Sequence, residues 1–335
     1  MGCFFLPLIL FCPMSKLKKH SVIPVFLPML ACPHRCIYCN QFVISGQAKL
    51  PSEDDVKSLI DKYLITIPED FDKRIAFFGG SFTCLPKAVQ NRYLSIARPY
   101  LEKGLVNGIQ LSTRPDYIND EILSNLQNFG VTLVELGAQS LDDDVLRLCE
   151  RGHTVECVKQ ASQVIVDHGV ELGLQMMIGL PLDSKEKSLK TARLIHEFGA
   201  KYTRIYPTLV VDNTKLAEMF RGGEYSPLKI EDAVDWCKAL YQYFKSVDIT
   251  ILRMGLHPTK DLMAGDNLLG GPFHPSFKEL VLTAVWCDRI EAMLAGDRQG
   301  ELVLSVPREE INYAIGFNSS NRKKFPNVVF KCAEL

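Results

Sequence analysis

The sequence predicts an α/β fold: a partial (β/α)6, TIM-like barrel followed by a small α+β C-terminal extension. Three observations predict it. Short apolar runs rich in branched residues alternate with amphipathic stretches from Val22 to position 246, the pattern of right-handed βαβ units and a parallel sheet. Six such units follow one another, and no repeat of fixed period is visible. Polar or glycine-rich loops follow the C-terminal ends of the strand runs, the face on which barrel enzymes build their sites. On periodicity alone a doubly wound open sheet fits almost as well.

The elements read as follows. Val22 to Met29 is the first strand, and a cysteine-rich loop follows it. Ser52 caps a helix to about Ile65, with Asp54 and Asp55 in the first turn, where the helix dipole favours acidic groups. Arg74 to Phe78 is a buried strand ending at Gly79-Gly80, and Pro86 opens a helix to about Leu101. Gly108 to Ser112 is a strand, and Asn119 starts a helix to about Asn128. Val131 to Leu136 is a strand, followed by helical segments at 142–149 and 154–167. Val170 to Ile178 is a strand ending at Gly179-Leu180-Pro181, and Ser184 to Phe198 is a helix. Tyr202 to Val210 is the sixth strand, and 228–246 is a long amphipathic helix. From Glu301 the pattern changes. Leu302 to Val306 alternates like a strand, Pro307 opens a helix to about Ile315, a loop from Gly316 leads into basic Arg322-Lys323-Lys324, and Val328 to Lys331 is a strand.

These readings divide the chain into a disordered or mis-assigned N-terminal extension (1–20), a barrel (21–255) and a C-terminal extension (256–335). The first eleven residues are apolar but too few for a membrane-spanning helix, and Pro7 interrupts them. The lysines come after this run rather than before it, against the order of a secretory signal. Position six is Leu6, where myristoylation wants Ser or Thr. The segment reads as an extension from an upstream start, with Met14 opening a cytoplasmic beginning; a peripheral membrane anchor is the rival reading. The chain is 47% hydrophobic and 23% charged with net charge −1, so any nucleic-acid contact must be a local patch rather than a global basic footprint.

Cys32, Cys36 and Cys39 carry the chemistry. Their C-x3-C-x2-C spacing, with Tyr38 before the third, can hold three irons of a [4Fe–4S] cluster. The fourth iron then lacks a protein ligand and is open to a substrate or cofactor. A zinc site would need a fourth ligand, and His34 lies inside the tight loop between two of the cysteines. Three merely structural cysteines would not need this spacing. With eleven cysteines in all, an odd number, a disulfide framework is disfavoured and a reducing compartment is indicated.

At Gly79-Gly80-Ser81-Phe82-Thr83, Ser112-Thr113-Arg114-Pro115-Asp116-Tyr117, Val134 to Ser140, Arg151-Gly152-His153-Thr154 and Ile205 to Val210, the chain resembles the radical S-adenosylmethionine (radical SAM) domain of the elongator catalytic subunit, which modifies wobble uridine in tRNA. The resemblance runs from Val22 to at least His257. The cysteine spacing is that of the wider superfamily; the elongator pattern has a longer first gap. The resemblance implies a radical SAM type of barrel, and an enzyme that uses a [4Fe–4S] cluster and S-adenosylmethionine with an external electron donor. RNA, in the first place tRNA, is the implied substrate. About eighty residues follow His257, too few for the elongator acetyltransferase domain, so acetyl transfer is not expected.

Residue by residue, the resemblance assigns the cluster to Cys32, Cys36 and Cys39. It places Tyr38 beside the adenine, and Gly79, Gly80 and Ser81 near the methionine amino group. Gln139 and Ser140 take the ribose or methionine part, and Gly179 lies where the fifth strand passes the adenine. Arg114 and Arg151 are candidates for the SAM carboxylate or an anionic substrate, with a rim salt bridge as the alternative for each. His153 is a candidate proton donor or a capping residue. The C-terminal segment resembles a KH-type RNA-binding unit, although Ser319 replaces its second loop glycine; a plain α+β cap is the alternative. Rival functions are a small-molecule enzyme of the anaerobic coproporphyrinogen oxidase type and a non-catalytic iron–sulfur RNA-binding protein. The expected location is cytoplasmic, without stable membrane association.

Overall fold

A computed structural model describes residues 20–27, 32, 35–40, 49–256, 263–265, 267–295 and 302–333. The expected N-terminal extension lies outside these residues except for His20. The chain forms two compact units that divide between Pro275 and Ser276.

The first unit is a seven-stranded parallel sheet in the order β1-β2-β3-β4-β5-β6-β8. Its strands are β1 (His20–Leu27), β2 (Asp72–Gly79), β3 (Gly108–Thr113), β4 (Val131–Gln139), β5 (Glu171–Ile178), β6 (Tyr202–Pro207) and β8 (Thr250–Met254). The helices between them are α1 (Glu53–Thr66), α2 (Lys87–Glu102), α3 (Asp120–Asn128), α4 (Asp143–Leu148), α5 (Val155–Asp167), α6 (Lys185–Glu197), α7 (Lys215–Arg221) and α8 (Ile230–Ser246). The expected α/β architecture is present, with three differences, one of them the short helix α7, which the sequence reading lacks. The run from Tyr202 breaks at Pro207, and β7 (Val210–Val211) leaves the sheet to pair antiparallel with β9 (Leu268–Gly270). A seventh strand, β8, is added beside β6. It is five residues long and follows α8 after only three residues, so it gives no separate periodic signal.

Local chemistry places the helix starts. Ser52 and Asp55 close a reciprocal capping box at α1. Asn119, Asp142, Thr154 and Ser184 each accept a backbone N–H of the helix they precede, which satisfies donors that have no partner inside the helix.

The sheet is curled into a half-barrel. Strands lie about 4.8 Å apart, so β2 and β6, four places apart, would be about 19 Å apart in a flat sheet. Yet the Arg204 guanidinium of β6 lies 4.9 Å from the ring of Phe78 on β2, and Arg74 of β2 reaches Glu171 of β5 at 2.7 Å. The two parities of each strand differ in chemistry. One parity (Ile75, Phe77, Ile109, Leu111, Val134, Leu136, Leu172, Leu174) is buried, as are Leu123, Leu126, Ile165 and Ile195 on the helices. The other parity is polar and faces across the half-barrel. There Glu135 forms an ion pair with Arg204 through both carboxylate oxygens. It also accepts from Gln110 at 3.2 Å, while Gln175 donates to Ser112 at 3.0 Å. Gly173 makes room for this carboxylate: a Cβ there would press on the Glu135 side chain at 3.0 Å.

The second unit contains α9 (Phe277–Leu294), β10 (Leu302–Val306), α10 (Ile311–Ile315), α11 (Ser320–Lys324) and β11 (Val328–Cys332). β10 and β11 pair in parallel, and Trp286, Ile290, Val306, Ala314 and Phe325 form its apolar core. Pro307 leads into a turn, and the helix itself starts at Ile311. Between α10 and α11 the chain passes through left-handed Gly316, Asn318 and Ser319. Asn321 ties this loop back to the carbonyls of Thr283 and Ala314. No helix among the described residues is long and apolar enough to cross a membrane.

Candidate active site

The cysteine loop follows β1, and backbone bonds from two later elements hold it. The Ile37 N–H donates to the carbonyl of Cys149, just after α4, at 3.3 Å, and the Ile37 carbonyl accepts from Leu216 in α7 at 2.8 Å. The Ile37 side chain is buried among Val145, Cys149, Leu180, Leu216 and Tyr225. Asn40 adds a bond from its side-chain amide to the Asp212 carbonyl at 3.0 Å. Within the loop a turn from Cys36 to Cys39 brings the two cysteines close. Cys36 is buried; Cys32 and Cys39 are half-buried.

Arg151 reaches this loop from the turn after α4. Left-handed Glu150 and Gly152 on either side of it reverse the chain there. Its Nη1 donates to the Cys36 sulfur at 3.3 Å and its Nη2 to the Gly137 carbonyl at 2.6 Å. Arg114 is buried beside it and makes a two-pronged pair with Asp116 at 2.8 Å on each prong. One nitrogen of Arg114 also donates to the Arg151 carbonyl at 2.7 Å. Arg114 thus makes a salt bridge of the kind considered for both arginines, and among the described residues Arg151 makes none.

The other expected site residues lie along the same strand ends. A Cβ on Gly79, whose φ is +114°, would overlap the Leu27 carbonyl, and the Gly80 N–H donates to that carbonyl at 3.0 Å. Both glycines therefore close the seam between β1 and β2. The Ser81 hydroxyl bonds to Thr113 at 2.8 Å and accepts the Arg114 N–H at 3.0 Å, so it organises the strand ends. Gln139 ends β4 with φ 65°, and Ser140 is buried next to it. Gly179 is left-handed; its N–H donates to Asp183 and its carbonyl accepts from Tyr225. Burial raises Asp183 to about 6, against the lowering effect of Ser188 and the Gly179 and Ser184 N–H groups.

Four buried polar atoms on these residues have no hydrogen-bond partner among the described residues: Tyr38 Oη, Arg114 Nη1, Ser140 Oγ and Arg151 Nε. Buried polar groups are normally satisfied, so this rim has capacity for a polar bound group. Among the described residues no three His, Cys, Asp or Glu side chains surround a single metal ion. A cubane cluster makes no such demand, because each thiolate binds a different iron. The donor set of three thiols beside a guanidinium fits an anionic iron–sulfur cluster.

His153 is buried, and burial followed by the charges of Arg151 and Arg114 holds its pKa down to about 3. It is a neutral imidazole at pH 7 and has no imidazolium proton to donate. The unfolded chain binds this proton below about pH 6.5 and the folded chain only near 3, so stability should be lost as pH is lowered from about 6.5 toward 3. The slope from one such group is about 1.4 kcal/mol per pH unit. Chemical unfolding from pH 6.5 to 4 should show a shallower acid loss for His153→Gln than for the wild type; equal slopes would mean that His153 is protonated in the folded protein.

Sequence reading missed Ile37, Leu216, Glu135, Arg204 and Gln175. Ile37 could have been found as an apolar residue inside a polar loop. The three polar strand residues stand in apolar runs, at positions of one parity.

A family model for the radical SAM superfamily matches residues 26–195, and one for the radical SAM C-terminal domain matches 200–285. The chain is 29% identical over 252 residues to a tRNA uridine(34) acetyltransferase of Dehalococcoides mccartyi, covering 64% of this chain and 55% of that protein. It is 28% identical over 275 residues to the Methanocaldococcus infernus protein of the same name, covering 70% and 51%. The chain thus spans about half the length of these relatives. The solved structure of Methanocaldococcus infernus Elp3 with an N-terminal deletion superposes with a TM-score of 0.63 at 22% identity, over 83% of this chain and 64% of that one. It shares the curled parallel half-barrel. With its cysteine loop inside the first matched span and its strands in that fold, the chain belongs to the radical SAM superfamily.

Proposed function

We propose that this protein reductively cleaves S-adenosylmethionine to modify RNA, with tRNA as the substrate class. The observation that carries the reading is the three-cysteine loop, docked among the strand ends of the half-barrel beside buried polar atoms that have no partner among the described residues. Cys32, Cys36 and Cys39 would hold a [4Fe–4S] cluster; Tyr38, Gln139, Ser140 and Gly179 would line the SAM site. Gly79, Gly80 and Ser81 would set the backbone of that site, and Arg114 would offer its remaining Nη1 to the SAM carboxylate. When bound, the cluster and SAM would supply one-electron reductive cleavage of the sulfonium, with an external low-potential donor. The protein's part is to orient the reactants and to exclude water and oxygen. The RNA substrate is inferred from the tRNA-modifying names of the relatives.

The test is anaerobic reconstitution followed by assay for 5′-deoxyadenosine with and without tRNA. SAM cleavage stimulated by tRNA supports the reading. Cleavage without any response to RNA moves the protein to the small-molecule class, and no cleavage moves it to the non-catalytic class.

The second unit bears on RNA binding. Arg322 and Lys323 are exposed after the Gly316 loop, whereas Lys324 is engaged by Glu291 at 2.6 Å. Changing Arg322 and Lys323 to Ala should weaken tRNA binding and reduce the slope of log K against log salt by about 1.4 to 1.8, from 0.7 to 0.9 per phosphate contact. An unchanged slope removes this segment from the RNA interface. Iron content should not change.

A further inference from the structure

Arg151 is a buried cation whose surroundings are unusual. Only 7% of it is exposed. A buried charge is normally paired with an opposite one, yet no carboxylate among the described residues lies within ion-pair distance of its guanidinium. Its hydrogen-bond partners are the Cys36 sulfur and the Gly137 carbonyl, and its electrostatic neighbours are Tyr38, Cys36 and Cys32. The guanidinium therefore faces the thiols of the loop. Two of its five N–H groups are turned to the Cys36 sulfur and the Gly137 carbonyl, and Nε has no partner among the described residues.

Its seat is shaped for it. A Cβ on Gly137 would lie 2.8 Å from Nη2, so the glycine lets the guanidinium reach the strand end. Arg114 holds the Arg151 backbone from the other side.

We propose that Arg151 sets the redox poise of the cluster by hydrogen-bonding the Cys36 sulfur and favouring the reduced state. The inference rests on the reading of Cys32, Cys36 and Cys39 as cluster ligands. A cubane held by three thiolates has a net charge of about minus one, and accepting one electron from a low-potential donor makes it about minus two. A fixed positive charge beside one thiolate stabilises the second state more than the first. Hydrogen bonds to cluster sulfurs are among the factors that set such potentials, and low dielectric strengthens the effect. Arg151 is a positioning residue in this role: it acts through Cys36.

The experiment is an EPR-monitored redox titration of the reconstituted full chain without SAM, so that a lost SAM contact cannot move the result. Wild type is compared with Arg151→Met, Arg151→Lys and Gly137→Ala, with iron measured in each. Arg151→Met should keep its iron, while its ratio of reduced to oxidised cluster at a fixed potential falls about tenfold, a midpoint about 59 mV lower for one electron. Arg151→Lys should recover part of that shift, and Gly137→Ala should move in the direction of Arg151→Met. If Arg151→Met does not hold iron, a lowered potential in Arg151→Lys and Gly137→Ala supports the proposal. An iron-loaded Arg151→Met with the wild-type potential overturns it. So does loss of iron in all three variants, which would make Arg151 an assembly residue. Wild type without iron would instead sink the cluster reading.

Discussion

Replacing Cys36 with Ala should leave almost no iron on a chain that otherwise binds about four per molecule after anaerobic reconstitution. Cys36 is the buried member of the triad, at the centre of the loop, and two thiolates do not retain a cubane. The polypeptide should survive the change. The loop is held by Ile37 through Cys149 and Leu216, and none of those bonds uses the Cys36 side chain, so the unloaded protein should still fold, with its stability lowered by about 1 to 3 kcal/mol for the lost Arg151 partner. Cys149→Ala and Cys237→Ala are the controls. Cys237 is wholly buried in α8. Cys149 lies close to the triad: its carbonyl receives the Ile37 N–H. It lies outside the C-x3-C-x2-C motif, and burial and the neighbouring Cys36 push its thiol pKa up to about 12. Alanine there keeps the carbonyl, so iron should be retained. Iron loss in Cys237→Ala alone would overturn the ligand assignment.

The second large effect is expected inside the half-barrel. Glu135→Gln should destabilise the protein by about 3 to 5 kcal/mol, the usual result of removing one member of a buried ion pair. Glu135 is 1% exposed, and it forms the ion pair with Arg204 while accepting from Gln110. The amide keeps the shape and removes the charge, leaving the Arg204 guanidinium buried against Phe78 without its counter-ion. The double variant Glu135→Gln/Arg204→Met should lose less than the sum of the two single changes, because neither charge is then left alone. Urea unfolding of the four proteins measures this cycle. A loss below about 1 kcal/mol for Glu135→Gln would place the pair in the class of exposed ion pairs and contradict its burial.

The sequence by itself determined the first six strands of the sheet, most of the helices between them and the cysteine motif, since these are short-range properties. Apolar periodicity sets which face of a strand or helix is buried, and Ser52, Asn119, Thr154 and Ser184 announce helix starts within one turn. The triad lies within eight residues, so its ligand chemistry is legible without any fold. Only the tertiary structure decided what surrounds the triad. Arg151 meets Cys36 across 115 positions of chain, and Arg204 meets Glu135 across 69. No local pattern marks such pairs; they exist because the parallel sheet curls and brings distant strand ends together. The same closure separates the two arginines that looked alike in sequence. Arg114 is paired by Asp116 two residues away, whereas Arg151 is turned by Glu150 and Gly152 toward the cysteine loop. Ser81 and Gly80 are likewise tied to neighbours on adjacent strands. A side chain's chemistry is local, but its partner is chosen by the fold.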